Sequence, residues 1–266
     1  MKIVHFSDPH AGGSAEDWMA YLDKRWVGVF NSRFRRRFRH DLSLLAKAVD
    51  YILSVKPDVA VCTGDLTSTG QPGEFERTLA ILEPLVKSNI PLVYLPGNHD
   101  CYVKRPKCMK AVRDMVRYLS GNREDFDQYP VRRNVNGMDF FLLNTSAPSN
   151  LLCSWGFLKK KDSKILAGWC SEEKSAPRIL LTHYPITEDH PILRIRHRLF
   201  GQKQVLDLLK NKDLDLVLCG HVHKPYFKYR RDNEVMECCA GSVTRNGSLV
   251  EIDWDGNAFQ FKTVDL

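Results

Sequence analysis

Short, β-branched apolar runs that stop at an Asp, an Asn or a His recur along this chain, and they constrain its fold more than any other feature. KIVHF (2–6), DVAVC (58–62), PLVYL (91–95), MDFFLLN (138–144), RILLT (178–182) and LDLVLC (214–219) are of strand length and bounded by turn residues. Helical patterns separate the first three and the last two. They lie at roughly 41–56, with Leu42, Leu45, Val49 and Ile52 on one face, at 72–88, with Pro72 near the first turn, and at 202–211. After 225 the pattern predicts strands only: YFKYRR, EVMECCA, SLVEIDW and AFQFKTVD. Such runs predict sheets buried on at least one face and covered by helices, a mixed α/β class that becomes β-rich toward residue 266. Ligands of such sheets gather at the carboxyl ends of the strands.

The polar residues of interest fall at those ends. Asp8 and His10 follow KIVHFS, Asp65 follows VCTG, Asn98 and His99 follow VYLPG, His183 follows LLT, and His221 and His223 follow VLCG. Five of the nine histidines share this placement, which independent core or surface histidines would not produce. Carboxylates, an amide oxygen and neutral imidazoles suit Mn, Fe or Zn. The Asp-x-His and His-x-His spacings put alternate residues on one side of an extended segment, so Asp8 with His10, and His221 with His223, are expected to converge. Gly64, Gly97 and Gly220 precede these residues and are expected to let the backbone turn sharply there.

Eight cysteines (62, 101, 108, 153, 170, 219, 238 and 239) show no CxxC spacing, and none is read as a ligand, although Cys101 directly follows GNHD. Cys62 and Cys219 sit in apolar runs like small hydrophobes, which fits a reducing compartment. The opening MKIVHFSD passes straight into motif sequence, and no run approaches the ~20 apolar residues of a membrane span, so a cytoplasmic chain is expected. At 266 residues and 43% hydrophobic content, the chain is expected to form a single domain over 1–266. The net charge of +7 favours anionic partners without choosing among them.

SDPH, GDLT, GNHD, LTHYP and GHVH, in that order over most of the chain, resemble the calcineurin-like metallophosphoesterase superfamily. The GDLTSTG form, the short length and the GHVHKP ending resemble its bacterial class III cyclic-nucleotide phosphodiesterase branch. The resemblance implies a four-layer α/β/β/α sandwich with helical arm and cap insertions, and a pair of divalent metal ions (Mn, Fe or Zn). It puts one ion on Asp8, His10, Asp65 and His223 and the other on Asp65, Asn98, His183 and His221, with Asp65 bridging. It also implies that His99 is no ligand but faces the leaving group, where an imidazole can donate a proton. Pro9 departs from the aliphatic or Thr of many relatives, stiffening the loop without removing a ligand. Asp100 either orients His99 or caps the turn that follows.

Three segments decorate this frame. In WMAYLDKRWVGVFNSRFRRRFRHD (18–41), Trp18, Leu22, Trp26, Phe30, Phe34, Phe38 and Leu42 recur every four residues, while Lys24, Arg25, Arg33, Arg35, Arg36, Arg37 and Arg39 supply seven cations. Such a helical arm either rests on an anionic membrane surface or substrate, or packs its aromatics on the main domain and leaves its arginines solvated. HPILRIRHRLFG (190–201) offers Arg194, Arg196 and Arg198 as substrate contacts, with a solvated loop as the alternative. Residues 101–130 are expected to form a helical flank over the site.

The function expected is dinuclear-metal-dependent hydrolysis of a phosphodiester in a small anionic substrate, a cyclic nucleotide being the class the resemblance implies. Alternatives are a pyrophosphohydrolase of a nucleotide-linked lipid (UDP-diacylglucosamine type) at the inner membrane surface, a nuclease, and a non-catalytic scaffold of the same fold. A nucleic-acid partner is disfavoured because the basic residues cluster on two loops and no additional DNA-binding domain is evident. The scaffold reading is expected where catalytic histidines are lost, and here His99 and every expected ligand are present.

Overall fold

A computed structural model describes residues 1–34, 40–148, 154–187 and 197–266. In chain order the elements begin β1 (Lys2–Phe6), α1 (Arg25–Phe34), α2 (Leu42–Val55), β2 (Val59–Cys62), α3 (Pro72–Val86), β3 (Leu92–Tyr94) and α4 (Pro106–Leu119). They continue with β4 (Val131–Val135), β5 (Met138–Leu142), β6 (Gly156–Phe157), α5 (Lys160–Ser171), β7 (Arg178–Leu181), β8 (Leu199–Phe200), α6 (Lys203–Lys210) and β9 (Leu216–Cys219). The last are β10 (Tyr226–Tyr229), β11 (Val235–Cys239), α7 (Val243–Asn246), β12 (Ser248–Trp254) and β13 (Phe259–Asp265). The single-turn α7 interrupts what the sequence predicts to be strands only.

Two large sheets form among the described residues, in the orders β13-β12-β1-β2-β3 and β10-β11-β9-β7-β5-β4, and β6 pairs with β8 in a small third one. Strands β1, β2 and β3 run parallel, as do β5, β7, β9 and β11, and each large sheet carries antiparallel edges. The period of two along each strand separates the layers. Ile3, Val59, Val61, Val93, Val250 and Ile252 of the first sheet meet Phe140, Leu142, Ile179, Leu181, Leu216 and Leu218 of the second. The alternate residues Val4, Phe6, Ala60, Cys62 and Tyr94 face outward onto Leu45, Val49 and Ile52 of α2, Phe75 and Leu82 of α3, and Val112 and Val116 of α4. On the other side Phe141, Leu180 and Val217 pack on Leu166 of α5 and on Val205 and Leu209 of α6. This is the four-layer α/β/β/α sandwich. Leu181 is fully buried at its centre, so truncating it to Ala is expected to cost about 2–5 kcal/mol.

Residues 101–130 hold α4 as a flank, with its apolar face committed to the outer side of β3. The arm differs more from expectation. It breaks into a 3-10 turn at Trp18–Tyr21 and then α1 at Arg25–Phe34, and its aromatic face is turned outward: Trp18, Leu22, Trp26 and Phe30 are exposed. At least half of each of these four side chains is thus open to solvent. Arg25, read as a surface cation, is instead buried and paired with Asp17 and Asp23, each at 3.0 Å. The side chains of Arg33 and Phe34, and the whole of Arg35, Arg36, Arg37, Phe38, Arg39, Arg194 and Arg196, lie outside the described residues.

Candidate metal centre

Five parallel strands, three from one sheet and two from the other, deliver the candidate ligands within a few residues of their carboxyl ends. Asp8 and His10 leave β1, Asp65 leaves β2, Asn98 leaves β3, His183 leaves β7, and His221 and His223 leave β9. The local geometry is not the extended one that the alternating spacing implies. Asp8, His10, Asp65, His221 and His223 all have positive φ, between 51° and 70°, a left-handed conformation that non-glycine residues rarely adopt. Convergence thus comes from left-handed turns at the ligands themselves, held in place by the surrounding fold. Asp8 donates its backbone N–H to Gly64 O and His10 donates to Asp65 O, both at 2.9 Å, tying the first two loops together.

The neighbouring glycines serve chiefly by being small. A Cβ on Gly97 would lie 2.1 Å from Asp65 Oδ1, and one on Gly220 would lie 2.1 Å from Ser7 Oγ and 2.4 Å from Asp8 Oδ2. Of the three flagged in the sequence, Gly64 is the one with positive φ.

Two donor clusters result. Asp8, His10, Asp65 and His223 form one, Asp65, His183 and His221 the other, and within each the potential ligand atoms lie within 4.8 Å of one another. Asp65 Oδ2 faces His10 Nε2 at 3.6 Å and His183 Nε2 at 3.3 Å, placing this carboxylate between the clusters. Asp8 Oδ1 lies 3.5 Å from His10 Nε2 and 3.3 Å from His223 Nε2. Asn98 directs Oδ1 to within 3.0 Å of His183 Nε2, its amide orientation fixed by donation from Nδ2 to Ser154 Oγ at 3.2 Å.

Four of these side chains are anchored on the side away from the cluster. His183 Nδ1–H donates to Thr63 O at 2.7 Å and His10 Nδ1–H to Thr67 O at 3.2 Å, which leaves Nε2 of both rings as the nitrogen that would offer its lone pair to a cation taking the place of a proton. Asp8 Oδ2 accepts the His221 N–H at 3.0 Å, and Asp65 Oδ1 accepts the His99 N–H at 2.7 Å. The opposite oxygens, Asp8 Oδ1 and Asp65 Oδ2, are buried without a hydrogen-bond partner. His10 Nε2 and His223 Nε2 lie only 2.7 Å apart. Buried carboxylate oxygens without donors, beside imidazole nitrogens oriented from behind, fit divalent cations.

Electrostatics point the same way. Burial works against charge on Asp8, yet His10 and His223 hold its carboxyl well below the usual carboxylate range. Burial also opposes protonation of His183, but Asp65 outweighs it and lifts the imidazole to about 10. The field of these carboxylates therefore favours positive charge at their centre.

His99 stands beside the clusters. Its Nδ1–H donates to Ser68 O at 2.7 Å, its ring sits edge-on to His10 with centroids 4.8 Å apart, and Tyr102 stacks on it at 5.2 Å. Asp100 is a structural tie: its carboxylate accepts from the Thr67 N–H, Tyr94 Oη and the Gly97 N–H, clamping the GDLT loop to the GNHD turn. Cys101 is buried in the helix-side core, where burial pushes its thiol well up. Arg198 is exposed, with its guanidinium 4.6 Å from the Phe200 ring centroid. Sequence reasoning passed over His197, whose Nδ1 is 2.7 Å from His221 Nε2, and His40, whose ring is 5.1 Å from that of His10. Both lie in segments noticed for their arginines or aromatics and not for their histidines.

Comparison with known proteins agrees with this fold and site. The calcineurin-like phosphoesterase family matches residues 1–225. A cAMP/cGMP dual specificity phosphodiesterase of Mycobacterium tuberculosis is 25% identical over 228 residues, covering 83% of this chain and 61% of that protein. A component of the nuclease SbcCD of Staphylococcus epidermidis is 23% identical over 237 residues, covering 85% of this chain and 58% of that protein. This chain thus spans less than two thirds of the length of these relatives. A dimetal phosphatase of Danio rerio has the same fold, with a TM-score of 0.68 at 16% identity over 100% of this chain and 97% of that one. The class defined is a metallophosphoesterase fold carrying a His/Asp metal-binding cluster. The chain belongs to the calcineurin-like phosphoesterase family.

Proposed function

We propose that the protein hydrolyses a phosphodiester in a small anionic substrate by means of two divalent ions, with cyclic nucleotides as the substrate class to try first. The observation that carries this reading is the position of Asp65, whose Oδ2 belongs to both donor clusters. Asp8, His10, Asp65 and His223 would hold one ion, and Asp65, Asn98, His183 and His221 the other. Mn, Fe and Zn all suit this donor set. Such a pair, when bound, supplies Lewis-acid stabilisation of a phosphoryl oxygen and a nucleophilic water at neutral pH.

The chain's own residues supply the rest. Ser68 O holds His99 through Nδ1–H, so in the imidazolium form Nε2–H is the group from which a proton would pass to the departing alkoxide, leaving a neutral imidazole. Tyr102 fixes the plane of that ring by stacking, and the Asp65 carboxylate fixes its backbone. The name of the mycobacterial relative supports cyclic nucleotides, and that of the staphylococcal relative supports nucleic acid as a second class. Screening metal-reconstituted protein against cyclic nucleotides, generic diesters, monoesters, nucleotide-linked lipids and DNA separates these readings. Diesterase activity that requires metal is expected, and a preference for monoesters would overturn the proposal.

A further inference from the structure

Of the large hydrophobic side chains exposed among the described residues, five crowd into one short stretch. Trp18 and Leu22 are 70% and 67% exposed, Trp26 and Phe30 are 50% and 53%, and Tyr21 lies among them at 64%. This arrangement is built in. The arm's inner side is formed by Ala20, Arg25, Gly28 and Val29, all buried. Arg25 is pinned by Asp17 and Asp23, and Asp23 also accepts from Arg105 Nε at 3.0 Å. A Cβ on Gly28 would lie 2.4 Å from Thr69 Cγ2 and 3.3 Å from Tyr102 Oη, so α1 sits directly on the GDLTSTG loop and on the residue that stacks on His99. Lys24 Nζ lies 4.0 Å from the centroid of the same Tyr102 ring. The arm that carries the apolar face thus rests its opposite, buried side on the loops of the candidate metal centre.

We propose that this face docks on an anionic phospholipid bilayer. Trp, Tyr, Leu and Phe on one side of a short helical segment are the side chains that settle at the headgroup level of a membrane. Charge complementarity selects a lipid surface over a neutral one. Asp17 and Asp23 are already paired with Arg25 and Arg105, which leaves Glu16, an acceptor for the Gly73 N–H, as the nearby acid with no cationic partner among the described residues. Lys107 borders the arm beside Arg25 and Met19, and the sequence after Phe30 adds Arg33, Arg35, Arg36, Arg37 and Arg39. No helix among the described residues is long and apolar enough to cross a membrane, so attachment here is to the surface. Docking would bring His99 and Tyr102 close to the bilayer.

The test is flotation of the full chain with phosphatidylcholine vesicles that either contain or lack phosphatidylglycerol, with tryptophan emission followed in parallel. Co-flotation with the anionic vesicles, weakened by salt and accompanied by a blue shift from Trp18 and Trp26, is expected. The double variant Trp26→Ser, Phe30→Ser alters only exposed side chains. It should keep its unfolding midpoint while its partition coefficient falls about tenfold or more. Failure to float with either vesicle, or undiminished flotation of a folded variant, would overturn the proposal. So would a dimer in sedimentation that the double variant dissociates, because a second copy would then cover this face.

Discussion

His197 Nδ1 lies 2.7 Å from His221 Nε2, while His221 Nδ1 faces His183 Nε2 at 3.2 Å. One nitrogen of His221 thus points into the cluster and the other is taken up by His197. With a cation at Nδ1, His221 Nε2–H donates to His197, and that bond sets the ring's tautomer and orientation.

His197→Ala is accordingly expected to weaken binding at the His183/His221 cluster by roughly 10–100-fold. His197→Asn, which can still accept the proton, should recover much of the loss. Calorimetric titration with Mn(II) measures both, and unchanged affinity in the alanine variant would exclude the orienting role.

His99→Asn should retain both ions, because His99 lies in neither donor cluster. On a diester with a poor alkoxide leaving group its rate should fall roughly 10²–10⁴-fold, and far less when the leaving group is p-nitrophenolate, which needs no proton. Equal losses on the two substrates would point to positional help in place of proton donation.

Gly28→Ala tests how closely the arm is seated. Helix propensity alone would favour Ala by about 1 kcal/mol. The 2.4 Å approach to Thr69 Cγ2 reverses the sign, and overpacking of this kind costs about 1–3 kcal/mol. Faster hydrogen exchange across 25–34 is expected, and slower exchange would show that α1 stands off the loop.

The six long apolar strands, and the placing of Asp8, His10, Asp65, Asn98, His183, His221 and His223 just beyond strand ends, were legible because a strand-length apolar run and a polar stop are both local signals, whereas the four layers were implied by the resemblance. Other features depend on partners distant in sequence. The left-handed turns at Asp8 and His223 follow from the assembled loops, while the local spacing reads as extended strand. The outward face of Trp18, Leu22, Trp26 and Phe30 could not be told from an inward one by periodicity, which locates a stripe but not its direction. What decides it is the buried pairing of Arg25 with the nearby Asp17 and Asp23, charges that the spacing of apolar residues does not register. Strand β4 was missed because VRRNV alternates too weakly, and β6 and β8 because two residues carry no period.

His5 carries a pH signature distinct from that of the metal centre. It lies between the sheets, with Nε2 3.0 Å from Thr63 Oγ1, and burial lowers its pKa from 6.5 to about 3. The unfolded chain therefore takes up a proton near pH 6.5 that the folded chain refuses. The stability due to neutral His5 is present above that pH and is lost as pH falls toward 3. Relative to His5→Gln, the wild type should lose about 1 kcal/mol between pH 6.5 and 5.5. Urea denaturation of both proteins across that range measures it, and a constant difference would mean that His5 titrates alike in both states.

The metal content of Asp65→Ala tests the central claim most directly. Asp65 is the residue common to both donor clusters, so its removal should empty both positions. Elemental analysis after reconstitution should find two divalent ions per wild-type chain and substoichiometric metal in folded Asp65→Ala. Retention of two ions in the variant would contradict a shared carboxylate, and with it the dinuclear account of this site.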